Sequence, residues 1–304
     1  MTGFQLDHLQ TLVALVEEGT FEAAAQRLRV TASAVSQRVK ALERAAGRVL
    51  VQRSNPVLAT EAGSVVLRLA RQVALLDTDA QTALHAGGVE KAAFSVAVAV
   101  NADSLATWFL DAVASVAESG AVLFDIYRED QEHTTSLLRS GTVMAAVTST
   151  ANAVQGCSVE PLGSMRYRAV CTPRFQARHR IAPGDAAALA RAPRVDFDRR
   201  DELQADFVRG TSGRDAAAAQ ARHFVPTSSD FARAVALGFG WGMLPEQQCE
   251  SELGAGSLLE LAPGEYTEVR LFWQRWNLTS TLLDTVTEAV RRGARASLHE
   301  FGRR

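Results

Sequence analysis

Between Glu22 and Thr60 two short helical patterns follow one another almost without a break, and two extended runs come next around a proline. The second pattern, Thr31 to Glu43, reads TASAVSQRVKALE. Val35, Val39 and Leu42 fall at helical spacing and make one apolar stripe. At 100° per residue, Ser33, Ser36, Gln37, Lys40 and Arg44 gather on the opposite side. That side carries hydroxyls, an amide and two cations, with no carboxylate. It suits the polar edges of bases and a phosphate backbone. Composition alone would leave it an ordinary solvated face, so the flanking sequence decides.

Leu6, Leu9, Val13 and Val16 recur at helical spacing before Gly19, which ends a first helix. Thr20 reads as the cap of a second helix carrying Phe21, Ala24, Ala25 and Leu28. After a break at Arg29–Val30, Thr31 caps the third. Three helices with a tight turn before the last predict a helix-turn-helix, with the third as recognition helix. VLVQRSNPVLAT then predicts a hairpin, or wing, with Arg53 at its tip. From Arg27 to Arg53 the cations are Arg27, Arg29, Arg38, Lys40, Arg44, Arg48 and Arg53, opposed only by Glu43. The whole chain has a formal net charge of −2, so a nucleic-acid site must be local to this patch. The side chains assigned to DNA are Thr31, Ser33, Ser36, Gln37, Arg38, Lys40 and Arg53.

From Glu61 to about His85, Ala62, Val66, Leu69, Val73, Leu76, Ala80 and Ala83 step alternately by four and three. Such a seam predicts a helix that pairs with its twin, placing two recognition helices on two half-sites. Gly87-Gly88 marks the domain boundary. The organisation expected is a winged helix-turn-helix at 1–60, a linker dimerisation helix at 61–88 and an effector-binding domain at 89–304.

Beyond the boundary strands and helices alternate. FSVAVAV, VLFDIYR and VMAAVTS read as strands of a first lobe; MRYRAVC, PRVDFD, HFVPT and GWGMLP read as those of a second. VRLFWQRW and a helix from Ser280 return to the first. The fold class is α/β with parallel strands, preceded by an α-helical winged helix-turn-helix. The lobes are set at about 89–163 with 268–304, and about 164–267, with a ligand cleft between them at the strand ends. Candidate effector contacts are Asn101, Asp103 and Ser104 at a helix start, Asp130 and Thr148 at strand ends, and Asp196, Asp198 and Ser229 in the second lobe. For Asp103 and Ser104, plain helix capping is an equal reading, and Asp196 and Asp198 also fit as solvated strand-end residues. Free N–H groups at the helix start favour a ligand carboxylate; the carboxylates suit its cations.

FEAAAQRL, SAVSQRVKALE, GRVLVQR and TEAG together resemble the LysR-type transcriptional regulators, and the resemblance covers essentially the whole chain. That family joins a winged helix-turn-helix and a dimerising linker helix to a two-lobed effector domain similar to periplasmic solute-binding proteins. Ala32-Ser33 departs from the usual Gln-Pro, and Val51-Gln52 from Leu-Phe, so the operator cannot be copied from the family. SAVSQRVKALE, AVNADSLATW (99–108) and REDQEHT (128–134) resemble its lysine- and arginine-sensing ArgP/LysG-type branch. The resemblance implies activation of a basic amino-acid exporter gene by lysine, arginine or a related amino acid as effector, with no other cofactor. It also implies a dimer of dimers on double-stranded promoter DNA, with RNA polymerase as a further partner.

An enzyme has little support. His8, His85, His133, His179, His223 and His299 are scattered, with no zinc spacing, nucleophile elbow, Walker loop or strand-borne GxGxxG. Cys157, Cys171 and Cys249 hold no metal spacing and read as buried thiols rather than redox sensors. No apolar run reaches the ~20 residues of a membrane span, and the N-terminus lacks a signal-peptide pattern. A cytoplasmic location is expected. A transport solute-binding protein and a replication-origin binder are weaker alternatives.

Overall fold

Capping residues cut the first sixty residues into three helices. The computed structural model of the chain describes residues 3–84, 94–128, 131–212 and 221–301. Helix α1 (Leu6–Glu18) stops at Gly19, whose φ of 72° places it in the left-handed region. Thr20 accepts a hydrogen bond from the Ala23 N–H (3.1 Å) and opens α2 (Phe21–Leu28). Arg29 turns the chain at φ 54°, and Thr31 accepts from the Ala34 N–H (3.1 Å) to open α3 (Ala32–Ala46). Val35, Val39 and Leu42 are at most 1% exposed. Each is worth about 2 kcal/mol relative to exposure. The face of α1 that joins this core is Leu9, Leu12 and Leu15, whereas Leu6, expected there, lies 43% exposed at the first turn.

The wing is short. Strand β1 (Val51–Gln52) pairs antiparallel with β2 (Leu58–Ala59) around the cis Asn55–Pro56 bond. Helix α4 (Glu61–Leu84) begins at Thr60, whose hydroxyl accepts from the Gly63 N–H (3.0 Å). Its expected apolar seam divides. Val66 is buried and Ala62 half-buried against the N-terminal core, while Leu69, Leu76, Ala80 and Ala83 stay exposed and Val65 joins them at 68% exposure. Val73 of the expected seam also packs half-buried on the N-terminal core, so the chain's own domain takes part of the seam and leaves Leu69, Leu76, Ala80 and Ala83 exposed. Gly87-Gly88 lies outside the described residues.

Helix α4 also docks on the domain that follows. Leu75 is fully buried in that domain's core. Arg68 donates to the Gln155 carbonyl (3.0 Å), and Arg71 donates to the Gly141 carbonyl (2.8 Å) and pairs with Glu17 of α1 (3.1 Å). Gly141, at φ 74°, makes room for this contact: a Cβ there would meet Arg68 Cβ at 2.6 Å.

The remaining elements, in chain order, are β3 (Phe94–Val100), α5 (Ala102–Ser104) running through a π-helical turn (Leu105–Phe109) into α6 (Leu110–Glu118), β4 (Val122–Arg128), α7 (Gln131–Ser140), β5 (Ala145–Thr148) and β6 (Cys157–Cys171). Then come α8 (Pro173–His179), α9 (Ala186–Arg191), β7 (Arg194–Asp196), α10 (Leu203–Ser212), β8 (Arg222–Phe224), α11 (Ser228–Ala236), β9 (Gly242–Pro245), α12 (Glu246–Gly254), β10 (Leu259–Glu260), β11 (Thr267–Trp276) and α13 (Thr281–Ser297).

The expected all-parallel arrangement is corrected here. Among the described strands β4-β3-β5 and the small β7–β8 pair run parallel, whereas β11, β6, β9 and β10 join antiparallel. The second group of strands begins earlier than MRYRAVC, because β6 starts at Cys157 and runs unbroken through both lobes. Strand β11 pairs with it from Cys157 through Tyr167, across the passage between lobes, and β9 and β10 pair with its C-terminal end. The β6–β11 register shifts between Leu271 and Phe272, opposite Gly163 and Pro161. Gly163 has φ 143°, and the C-terminal segment crosses there: Ser164 and His299 exchange both backbone hydrogen bonds (2.8 and 3.0 Å). Trp108, Trp273 and Trp276 fill the core beneath α6 and α13. The two lobes therefore share one continuous sheet with a register shift at their junction, and β7–β8 forms a small separate sheet.

Candidate functional site

Two surfaces could carry function. On α3, Ser33, Gln37, Lys40 and Arg44 are exposed and Ser36 half-buried, as helical spacing requires. Gln37, Lys40, Glu43, Arg44, Gly47, Arg48 and Val49 line an open groove of about 620 Å³. Glu43 does not neutralise it freely, because one of its carboxylate oxygens accepts from the Leu50 N–H (3.0 Å). Arg44 and Arg48 therefore add two cations to the assigned set. Three assigned residues point elsewhere. The Thr31 hydroxyl caps the helix. Arg38 turns to α1, with Nη2 on Asp7 (3.3 Å) and Nη1 donating to Thr11 (3.3 Å). It stands about 140° round the helix from Ser33, so its spacing already sets it off the polar face. Arg53 lies back over the Phe21 ring (5.8 Å) instead of projecting from the wing tip.

The second surface is a cavity of about 150 Å³ between the lobes. Asp103 is part of its wall. Its carboxylate accepts from the Tyr167 hydroxyl (2.7 Å) and the Ser228 hydroxyl (2.6 Å). Burial and the adjacent Asp103 push the Tyr167 phenol well above its ordinary range, so it stays protonated and donates. Gln248 donates in turn to Ser228 (2.9 Å). From the second lobe come Asp201, whose oxygens accept from the Phe197 (2.8 Å) and Leu203 (3.0 Å) N–H groups, and Gln204, which donates to the Val195 carbonyl (2.9 Å). Phe231, Met243 and Leu244 supply apolar wall. Across the cleft Arg128 at the end of β4 donates to the Pro226 carbonyl (2.8 Å), a direct tie between lobes.

Of the residues assigned to an effector, the structure sets Asp103 in the cavity wall. Asn101 caps α5 by accepting from the Ser104 N–H (2.8 Å), and Ser104 beside it is fully buried. The helix start is thus partly occupied by its own cap. Thr148 is buried and donates to the Thr150 carbonyl (3.1 Å), away from the cavity. Asp196, expected at the cleft, has no exposed surface and is held by Arg194 (3.0 Å) and Arg222. Asp198 lies beyond β7, not on its face, and accepts from the Arg200 (2.7 Å) and Asp201 (3.0 Å) N–H groups of a turn. Ser229 is exposed; its neighbour Ser228 is the one in the cavity. Asp130 lies outside the described residues. Sequence reasoning missed Tyr167, Asp201, Gln204 and Gln248. Tyr167 sits in an alternating strand that hinted at burial, but nothing local marked the others.

The cysteines are free thiols. Burial pushes Cys171 and Cys249 up to about 12, and also raises Cys157 despite the neighbouring Arg68. They are poor nucleophiles. Among the described residues no helix is long and apolar enough to cross a membrane.

A family model described as bacterial regulatory helix-turn-helix protein, lysR family, matches residues 6–64, and one described as LysR substrate binding domain matches residues 94–295. A lysine export transcriptional regulatory protein, LysG of Corynebacterium efficiens, is 44% identical over 292 residues, covering 96% of this chain and 98% of that one. Among solved structures, the crystal structure of ArgP from Mycobacterium tuberculosis is 43% identical with a TM-score of 0.86, covering 97% of this chain and 98% of that one. Full-length LysG from Corynebacterium glutamicum with bound effector Arg is 38% identical with a TM-score of 0.77, covering 97% and 99%.

Proposed function

The chain belongs to the LysR family of bacterial transcriptional regulators, of the LysG/ArgP type, and from that membership we propose that it activates a basic amino-acid exporter gene when lysine, arginine or a related amino acid fills the interlobe cavity. One observation carries the effector class. The cavity presents two carboxylates, Asp103 and Asp201, and among its described lining residues no Arg, Lys or His opposes them. A cationic ligand answers that charge, whereas a neutral analogue would cover these half-buried carboxylates with no opposite charge beside them, only the hydroxyl and backbone hydrogen bonds they already accept. The relative named for lysine export and the related structure holding Arg support the same reading.

In this reading residues 1–60 bind the promoter through Ser33, Ser36, Gln37, Lys40, Arg44 and Arg48. Residues 61–88 pair two protomers through Leu69, Leu76, Ala80 and Ala83, and residues 89–304 sense the effector. Two such dimers join on DNA in the cytoplasm, and the effector-bound form engages RNA polymerase. Calorimetry of the full chain against the common amino acids tests the effector class. Heat of binding is expected for lysine and arginine; a flat response to lysine, arginine and histidine would sink it.

A further inference from the structure

The first turn of α12 grips its surroundings with three consecutive side chains. Gln248 lines the cavity and donates to Ser228 (2.9 Å), which donates to Asp103 (2.6 Å). Gln247 donates to the Ser297 carbonyl at the end of α13 (2.7 Å). Glu246 accepts from Arg168 Nε (2.7 Å) and lies 2.7 Å from His299 Nε2. Burial opposes its charge, but His299 and Arg168 hold its pKa below the ordinary range. Glu246 is therefore a carboxylate that can only accept, so His299 Nε2 carries the proton and donates. Neither Glu246 nor His299 is among the described lining residues of the cavity. The contacts close a ring through both lobes. In the first lobe α13 packs on α6 and shares a core with Trp108 and Phe109, which follow Asp103 in the chain. From the end of α13, His299 crosses Ser164 of β6 with both backbone bonds made (2.8 and 3.0 Å) and reaches α12 of the second lobe. Strand β9 leads into α12 with Pro245 opposite Tyr167, the other donor to Asp103.

We propose that Glu246 and His299 are positioning residues for the effector: the C-terminal segment straps α12 where Gln248 and Ser228 meet Asp103, without itself touching the ligand. The inference rests on the cavity being the effector site. Releasing the strap frees the first turn of α12 to shift, and the bonds from Gln248 to Ser228 to Asp103 lose their geometry. The wall that receives the ligand cation is then less well formed.

Calorimetric titration with L-lysine tests this on the full-length chain as wild type, His299→Ala, His299→Gln, Gln248→Ala and the double variant His299→Ala with Gln248→Ala. His299→Ala is expected to weaken lysine binding about tenfold. His299→Gln, which keeps a donor N–H, should stay within about threefold of wild type. The double variant should bind no more than about threefold weaker than Gln248→Ala alone, because a single path is cut twice. Wild-type affinity in His299→Ala, no recovery in His299→Gln, or losses that multiply in the double variant would overturn the proposal. If the wild type takes up neither lysine nor arginine, the effector reading fails, and hydrogen exchange of the ligand-free chain decides the strap. Faster exchange at residues 226–231 in His299→Ala then supports it, and unchanged exchange there overturns it.

Discussion

Gln37 and Arg44 share the exposed face of α3, yet DNA would meet them differently. An amide offers a base edge one donor and one acceptor, so Gln37→Ala should relax operator preference by about 1–3 kcal/mol at one base position. Arg44→Ala should weaken all sequences alike and reduce the salt slope by about one. Gel-shift titrations on operator and scrambled DNA at several salt concentrations distinguish the two. In the cleft, Asp103→Asn keeps the size of the side chain but removes charge from the group that Tyr167 and Ser228 serve. Lysine affinity should fall about a hundredfold with operator affinity unchanged, and equal lysine affinity would remove Asp103 from the site. The cysteines give the opposite expectation. With burial holding Cys171 and Cys249 near 12, replacing all three by serine should leave the response to peroxide unaltered in a promoter assay.

At the scale of elements, legibility follows how local the cause is. Strands β3 and β4 are readable to the residue because apolar runs and their breaks lie in consecutive positions. The caps Thr20 and Thr31 act three residues away, so they too are visible. The cavity is not, because Asp103, Tyr167, Asp201, Ser228 and Gln248 come from five segments brought together only by the closed sheet. Helix α12 shows another device hidden from sequence. Burial of Glu246 opposes its charge, but hydrogen bonds from His299 and Arg168 outweigh it and lower its pKa from the ordinary 4.5. A lowered carboxylate contributes stability that is complete above about pH 4.5 and is lost as pH falls through the folded value. Glu246→Gln should therefore flatten the acid limb of a melting-temperature profile and leave the neutral limb lower. The linker helix makes its own prediction: Leu69→Asp with Leu76→Asp should yield monomers by light scattering, since both side chains are exposed on a single chain.

For the whole molecule, the tie between head and sensor is α4 itself, with Leu75 buried in the sensor core and Arg68 and Arg71 donating to its carbonyls. Glu17 of α1 pairs with Arg27 of α2 and Arg71 of α4, and Arg71 reaches the Gly141 carbonyl of the sensing domain. Arg128, bonded across the cleft to Pro226, holds the lobes together without touching the cavity. Arg128→Ala should weaken effector binding by about tenfold while leaving effector-free operator binding intact, measured by calorimetry and gel shift. Strand β6, shared by both lobes, has a consequence for how occupancy could be signalled. Because β6 belongs to each half and β11 stays paired beside it across Gly163, the halves are tethered at that crossing by two strands. A tether of that kind favours a twist of one lobe against the other over a separation, so an angle would be the quantity passed on.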